Sequence, residues 1–148
     1  MNREEARLQA RMVIEFSQER PYDKGRLIGY FAETENKIEG ATKLSLGLVK
    51  GCSDLLYIPE DTHRVTGIEV KAPGSRHKIL HLKEQCHWLL KVPYKGYFCD
   101  TIEMFWDIIE GGRGIDPDKV FDYLLTVKTE SVAWNDVKKN CYGNDTSR

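Results

Sequence analysis

Apolar residues recur along this chain with two periods, which together predict an alternation of helices and short strands. In residues 2–19 they recur at spacings of three and four, which predicts an amphipathic helix ended by Pro21 and Gly25. The inward stripe of this helix comprises Glu5, Gln9, Met12, Val13 and Phe16. Two of these side chains are polar, so the stripe includes groups that need partners once they are buried.

The rest of the chain predicts four short strands and four further helices. The predicted strands cover residues 27–32, 54–58, 65–71 and 96–99. A short helix is predicted to end at Leu46, and longer ones cover residues 79–92, 101–109 and 116–127. The strands 54–58 and 65–71 are close enough in sequence to pair as a hairpin. Thr101 is predicted to cap one helix, and Asp116 followed by Pro117 to open the next.

This order of elements predicts an α/β (α+β) fold with a mixed central β-sheet flanked by helices. We expect a single domain over residues 1–128, followed by a C-terminal extension, 129–148, whose polar end frays. The length of 148 residues and the apolar fraction of 41% suit one packed core.

Several classes of protein are excluded by the sequence. It contains no apolar run of the roughly 18–20 residues that a membrane span requires, and no secretory signal at its charged start. The four cysteines have no CxxC spacing, so we expect reduced thiols in a cytoplasmic protein. The net charge of −1 argues against a protein that coats nucleic acid by bulk charge.

The candidate chemistry lies at the ends of the two strands of the predicted hairpin. Alternation along the second strand directs Glu69 and Lys71 to one side and Val70 to the core, and pairing brings Asp54 close to Glu69. Two carboxylates beside an ammonium group suit Mg²⁺ or Mn²⁺, with Lys71 acting on a water or a phosphate. The alternative is a solvated strand edge, because Glu-x-Lys occurs by chance in many proteins.

These residues have the spacing of a known nuclease family. Gly47, Gly51 and Asp54, then Glu69-Val70-Lys71, Gly74, Gln85 and Gly96-Tyr97 stand in the order that this family shows. The chain thus resembles the VRR-NUC branch of the PD-(D/E)xK nuclease superfamily, which implies a restriction-endonuclease-like core. The family usually has proline before the first aspartate, where this chain has Ser53.

The resemblance also implies roles for the site residues. Asp54, Glu69 and the main-chain carbonyl of Val70 are expected to hold Mg²⁺ (or Mn²⁺), and Lys71 and Gln85 to position water or phosphate. The family places an acid on its first helix, and Glu5 is the best match. Glu4 and Glu15 remain possible substitutes.

Charge along the chain is uneven, which changes the meaning of the neutral total. Residues 71–95 contain six Lys or Arg and one acid, a charge of +5, which leaves −6 elsewhere. A basic segment beside carboxylates suits a phosphate backbone, although a solvated helix face would look the same. The expected DNA contacts are Lys50, Arg76, His77, Lys78, His81 and Lys83. Zinc held by His77 and His81, and Cys52 as a nucleophile, are weaker alternatives.

The functional hypothesis is a Mg²⁺-dependent DNA endonuclease. The resemblance implies 5′-phosphate and 3′-hydroxyl products, action on branched DNA such as Holliday junctions, a homodimer without membrane association, and a bacterial or phage-infected host cell. The alternatives are a catalytically inactive DNA-binding or assembly module on the same fold, or a flap or restriction-like nuclease.

Overall fold

The structure is a computed structural model that describes residues 2–29 and 52–142. The predicted short helix ending at Leu46, the motif glycines Gly47 and Gly51, and the expected DNA contact Lys50 lie outside these residues. No helix in the described ranges is long and apolar enough to cross a membrane.

The first element is an amphipathic helix, α1 (Arg3–Glu19). The Asn2 side chain caps it by accepting a hydrogen bond from the Glu5 N–H at 2.8 Å, which satisfies a donor that the helix start leaves free. The buried residues are Glu5, Gln9, Met12 and Phe16. The predicted stripe is therefore correct except at Val13, which is 36% exposed.

A mixed four-stranded sheet forms the centre of the fold. It contains β1 (Leu27–Gly29), β2 (Leu55–Tyr57), β3 (Thr66–Val70) and β5 (Lys95–Cys99), in the order β1-β2-β3-β5. The first two pairings are antiparallel, which confirms the predicted hairpin, and β3 pairs with β5 in parallel. All five residues of β3 are buried, because it is an inner strand that also contacts α1 and the helix Ile79–Leu89.

The remaining helices connect and cover the strands. They are α2 (Ile79–Leu89), α3 (Ile102–Ile109) and α4 (Pro117–Leu124). Thr101 caps α3 as predicted, with its hydroxyl accepting from the Met104 N–H at 3.1 Å. Asp116 occupies the cap position of α4 but makes no side-chain cap bond, because its carboxylate instead pairs with Arg113 at 2.6 Å.

The end of α2 shows why one glycine of the motif is needed. The helix ends at Leu89, three residues earlier than predicted, and β5 passes directly against this end. A Cβ atom built on Gly96 would overlap the main-chain carbonyl of Leu89. The strand and the helix end can approach so closely only because residue 96 has no side chain.

A second, two-stranded sheet extends the fold beyond the elements that the sequence predicts. The strand β4 (Arg76–Lys78) pairs antiparallel with β6 (Ser131–Ala133), which leads into α5 (Trp134–Cys141). Trp134 and Val137 are fully buried in the same core as the central sheet. The packed unit thus continues past residue 128, where the sequence placed the start of an extension.

The predicted fold class is confirmed. The described residues form a mixed α/β structure in which a mixed sheet is flanked by five α-helices, an architecture consistent with a restriction-endonuclease-like core. The core is continuous, with Phe98, Phe105, Met12, Leu55 and Ile68 among its largest fully buried side chains.

Candidate functional site

The candidate site lies where β3 ends, opposite the start of β2. The antiparallel register pairs Leu55 with Ile68, so Asp54 and Glu69 come next to one another beyond this pair. The Val70 N–H donates a hydrogen bond to Asp54 Oδ2 at 2.9 Å, which fixes the Asp54 carboxylate at the strand end. The structure therefore brings together the first two carboxylates that the sequence singled out.

Ser53 stabilises the main chain just before β2. Its hydroxyl is fully buried and donates a hydrogen bond to the Leu55 carbonyl at 2.9 Å. This side-chain-to-main-chain bond constrains the turn locally. It supplies a restraint at the position where the nuclease family usually has proline.

Glu69 is a carboxyl group whose ionised form is disfavoured by burial. It is 3% exposed, and its pKa is raised well above the ordinary value of 4.5. Burial is the main cause, followed by the hydrogen bond and the negative charge of Asp54, while Lys71 opposes the shift. Two touching carboxyl groups in a buried site therefore favour either a shared proton or a bound cation.

Lys71 is buried beside these carboxyl groups. The residue is 2% exposed. Its main-chain N–H donates a hydrogen bond to the Cys99 carbonyl at 2.9 Å, which extends the parallel pairing of β3 with β5. Its positive charge favours the ionised forms of both Glu69 and Glu5. A lysine without solvent is stable in such a place because acids surround it.

Of the three candidate acids on α1, Glu5 is the one that reaches the site. Glu4 is exposed, and the Glu15 carboxylate is occupied by Arg11 at 2.8 Å and by the Trp106 indole N–H at 3.2 Å. Glu5 is 4% exposed, and its Oε1 lies 3.2 Å from His77 Nε2. The face of α1 that meets the sheet thus selects Glu5.

The pKa of Glu5 shows how well this carboxylate is accommodated. Burial alone would raise the pKa, but the His77 ring and the charge of Lys71 outweigh that effect and lower it. His77 Nε2 lies closer to the Ser75 hydroxyl, at 2.7 Å, than to Glu5. His77 Nε2 therefore bonds to Ser75, and Glu5 Oε1 has no hydrogen-bond partner in the described part of the chain.

Three buried side-chain oxygens have no hydrogen-bond partner in the described part of the chain. They are Oε1 of Glu5, Gln9 and Gln85. Gln85 is held on its other side, since its Nε2 lies 3.1 Å from His81 Nε2. All three are acceptors, so they match a cation or ordered water and not an anion.

The expected basic residues on β4 and α2 differ in exposure. Arg76 and Lys78 are exposed on β4, and Lys83 is half-buried on α2. The Arg76 guanidinium donates to the Ser131 hydroxyl at 3.0 Å, so β6 orients it. His81 is exposed overall, but desolvation on the side towards Gln85, followed by the charge of Lys71, lowers its pKa.

Neither alternative chemistry gains support from the geometry. Burial, with the negative charge of Glu69, raises the pKa of the Cys52 thiol to about 11, which keeps it protonated at neutral pH. Within residues 2–29 and 52–142, no three His, Cys, Asp or Glu side chains already stand close enough together to form an ion cage. An ion at Asp54 and Glu69 would need main-chain, amide or water oxygens as further ligands.

The sequence did not predict the hydrogen bonds by which Asp100 joins α5 to the end of β5. Asp100 follows β5, is 2% exposed, and accepts from the Trp134 indole N–H at 3.1 Å and from Lys138 Nζ at 3.0 Å. The Trp134 ring stands edge-on to His77, with centroids 6.5 Å apart. No local sequence pattern predicts these two hydrogen bonds, because their partners are separated by 34 and 38 positions in the chain.

Comparisons with protein-family models, with curated proteins and with solved structures found no significant match.

Proposed function

We propose that this protein is a Mg²⁺-dependent (or Mn²⁺-dependent) DNA endonuclease of the PD-(D/E)xK type. The observation that carries the proposal is the contact between Asp54 and Glu69 beside the buried Lys71. Structural carboxylates are normally paired with cations or solvated, whereas Asp54 contacts a second carboxyl group, Glu69, that is buried. Such an arrangement is costly unless it serves a ligand.

The donor set fits a hard divalent cation. Asp54, Glu69 and the carbonyl of Val70 would hold it, with waters completing the oxygen ligands, as Mg²⁺ prefers, and Glu5 would hold a second ion or a bridging water. The unpartnered oxygens of Glu5 and Gln85 support this fit, because each is an acceptor with no donor. A bound Mg²⁺ would polarise the phosphodiester and stabilise the negative charge that develops as water attacks.

The side chains of the site would then position the water, the phosphate and the Glu5 carboxylate. Lys71 would orient the attacking water and offset charge on the phosphate, and Gln85 would orient Lys71 or the phosphate. Attack in line with the P–O3′ bond leaves a 3′-hydroxyl and a 5′-phosphate. His77 and Ser75 would keep the Glu5 carboxylate in place from the β4 side.

The substrate that suits this site is DNA, and branched DNA is the form we propose. Arg76 and Lys78 flank His77 on β4 and Lys83 lies on α2, and these residues, with His77, His81 and Lys50, form the proposed contact set. Phosphate contacts of this kind position a duplex without reading its sequence. A homodimer with twofold symmetry would present two such sites to a four-way junction.

A cleavage assay with matched variants tests the proposal. Purified protein is incubated with Mg²⁺ or EDTA and with duplex, single-stranded, flap and four-way-junction DNA. We expect Mg²⁺-dependent nicking, with preference for the junction, that Asp54→Asn, Glu69→Gln and Lys71→Ala each abolish. The control is Glu60→Gln, the same change at an exposed acid outside the site. Nicking by Asp54→Asn at the wild-type rate would overturn the assignment.

Calorimetric titration separates an active enzyme from an inactive module on the same fold. We expect saturable Mg²⁺ binding by the wild-type protein that Asp54→Asn removes. DNA binding without site-specific Mg²⁺ binding would favour the inactive module. Cleavage confined to flaps or to a duplex sequence would favour the flap or restriction-like alternative.

A further inference from the structure

A cleft of about 600 Å³ lies at the opposite end of the central sheet from Glu69 and Lys71. It opens beside Thr66 and Lys95, the first residues of β3 and β5, whereas the carboxylates stand where β3 ends. Its walls include three tyrosines and three basic residues, namely Tyr57, Tyr94, Tyr97, Arg64, Lys95 and Arg113. Nothing in the proposed nuclease reaction uses these residues.

Two cations converge on one aromatic ring at the mouth of this cleft. Arg64 Cζ lies 5.5 Å from the centroid of the Tyr94 ring, and Lys95 Nζ lies 5.8 Å from the same centroid. The Tyr94 residue is 44% exposed, so its ring is accessible. Two cations beside the same exposed ring attract an anion, and the ring offers a surface for a flat partner.

The acids near the cleft offset part of its positive charge. Asp61 contacts Arg64 at 3.4 Å, but both side chains are more than half exposed, so the pair is weak. Asp116 is occupied by Arg113 at 2.6 Å on the other wall. Glu110 is the remaining acid of the lining. One wall of the cleft is therefore basic and aromatic, and the main acid of the other wall, Asp116, is already paired with Arg113.

The floor of the cleft is rigid and aromatic. Tyr97 is 5% exposed, and burial together with the charge of Asp116 raises its pKa, so its hydroxyl remains protonated at neutral pH. Tyr57 is also buried, and its hydroxyl accepts a hydrogen bond from Arg20 at 3.3 Å. Both tyrosines belong to the hydrophobic core, so Tyr94 is the tyrosine of the cleft whose ring is accessible to a ligand.

We propose that this cleft binds one nucleotide unit, with its phosphate bound by Arg64 and Lys95 and its base stacked on Tyr94. Aromatic stacking with nearby Lys and Arg is how proteins bind single nucleotides without reading sequence. The volume lies within the range of small-molecule sites, roughly 300–1,000 Å³. The same chemistry could come from a free nucleotide or from one nucleotide of a single strand. The proposal does not depend on the carboxylate site.

Titration calorimetry of the full chain in EDTA, which prevents hydrolysis, tests this site. The probes are thymidine monophosphate, thymidine, inorganic phosphate and a tetrathymidylate. We expect saturable binding of thymidine monophosphate, with affinity at least about fivefold higher than that of thymidine or phosphate alone, because base and phosphate each contribute. Tetrathymidylate binding more than tenfold tighter would identify a strand as the source, and equal binding a free nucleotide.

Variants connect the binding to the cleft. Tyr94→Leu, Arg64→Gln and Lys95→Gln should each weaken binding of thymidine monophosphate at least about fivefold. The matched control is Lys91→Gln, which removes an exposed lysine of the same basic segment that does not line the cleft. Asp54→Asn should bind as the wild type does, so a failed nuclease assay would leave this result unaffected. Absence of saturable nucleotide binding, or binding that all three cleft variants retain, would overturn the proposal.

Discussion

Replacing Glu69 with glutamine tests the electrostatics of the carboxylate site in the absence of metal. Glutamine has nearly the same volume as glutamate and retains hydrogen-bonding groups, so the change mainly removes an ionisable proton. In the folded protein the pKa of Glu69 is raised well above 4.5, by burial first and by Asp54 second. The wild-type protein should therefore become less stable with rising pH in a way that the variant does not.

The sign and size follow from proton linkage. Below about pH 4.5 the Glu69 carboxyl is protonated in both the folded and unfolded states, so wild type and variant differ little with pH. Above that pH the unfolded chain ionises while the folded protein keeps the proton. Each pH unit up to the raised pKa then costs the wild type up to about 1.4 kcal/mol of unfolding free energy relative to the variant.

Urea denaturation in EDTA at about pH 5, 6 and 7 measures this difference directly. Subtracting the free energies of wild type and Glu69→Gln cancels the titration of the groups that do not interact with Glu69. We expect the difference to move in favour of the variant as the pH rises. Glu60→Gln, an exposed change of the same kind, should show no such trend. A difference that is flat with pH, or that moves in favour of the wild type, would refute the reasoning.

Three further predictions concern the close packing at Gly96, the hydrogen bond from Trp134 to Asp100, and the buried Lys71. Gly96→Ala should lower the free energy of unfolding by roughly 1–3 kcal/mol in urea, because its Cβ would overlap the Leu89 carbonyl. Trp134→Phe should cost about 1–3 kcal/mol, because Asp100 Oδ2 loses its indole partner in a buried site. Lys71→Met should abolish nicking while a thermal melt in EDTA still shows a cooperative transition.

Each of these has a control within the chain. Gly74→Ala, at a glycine with open space around its Cβ position, should leave stability nearly unchanged. Gly96→Ala with wild-type stability would contradict the close approach of α2 and β5. Trp134→Phe with an unchanged midpoint would argue that the Asp100 contact contributes little. Lys91→Met, an exposed change of the same kind as Lys71→Met, should keep its activity.

Local patterns predicted those parts of the fold whose partners lie nearby in sequence. The hairpin of β2 and β3 joins strands separated by a short turn, so alternation alone placed Asp54 next to Glu69. The cap by Thr101 required only the next three residues. Helix ends were less well predicted, since α2 and α4 each stop three residues early, where contacts with other elements take over.

Two short strands, β4 and β6, escaped prediction, because neither lies in an apolar run of the kind that predicted β1 and β2. Nothing in Arg76-His77-Lys78 alternates between apolar and polar in a way that signals a strand, and its partner lies 55 residues later. Its pairing with β6 brings His77 to Glu5 and Trp134 to Asp100. The last segment of the chain is thereby part of the site's support.

The sequence by itself determined which chemical groups are available and which of them stand together on a hairpin, since the two-residue period of a strand is a local property. The tertiary structure decided the rest. It turned α1 so that Glu5, and neither Glu4 nor Glu15, faces Lys71. It set β5 parallel to β3, which encloses Lys71, and it gathered Arg64 and Lys95 around Tyr94 at the far end of the sheet. These arrangements depend on contacts between residues far apart in the chain, whose energies exist only once the core has packed.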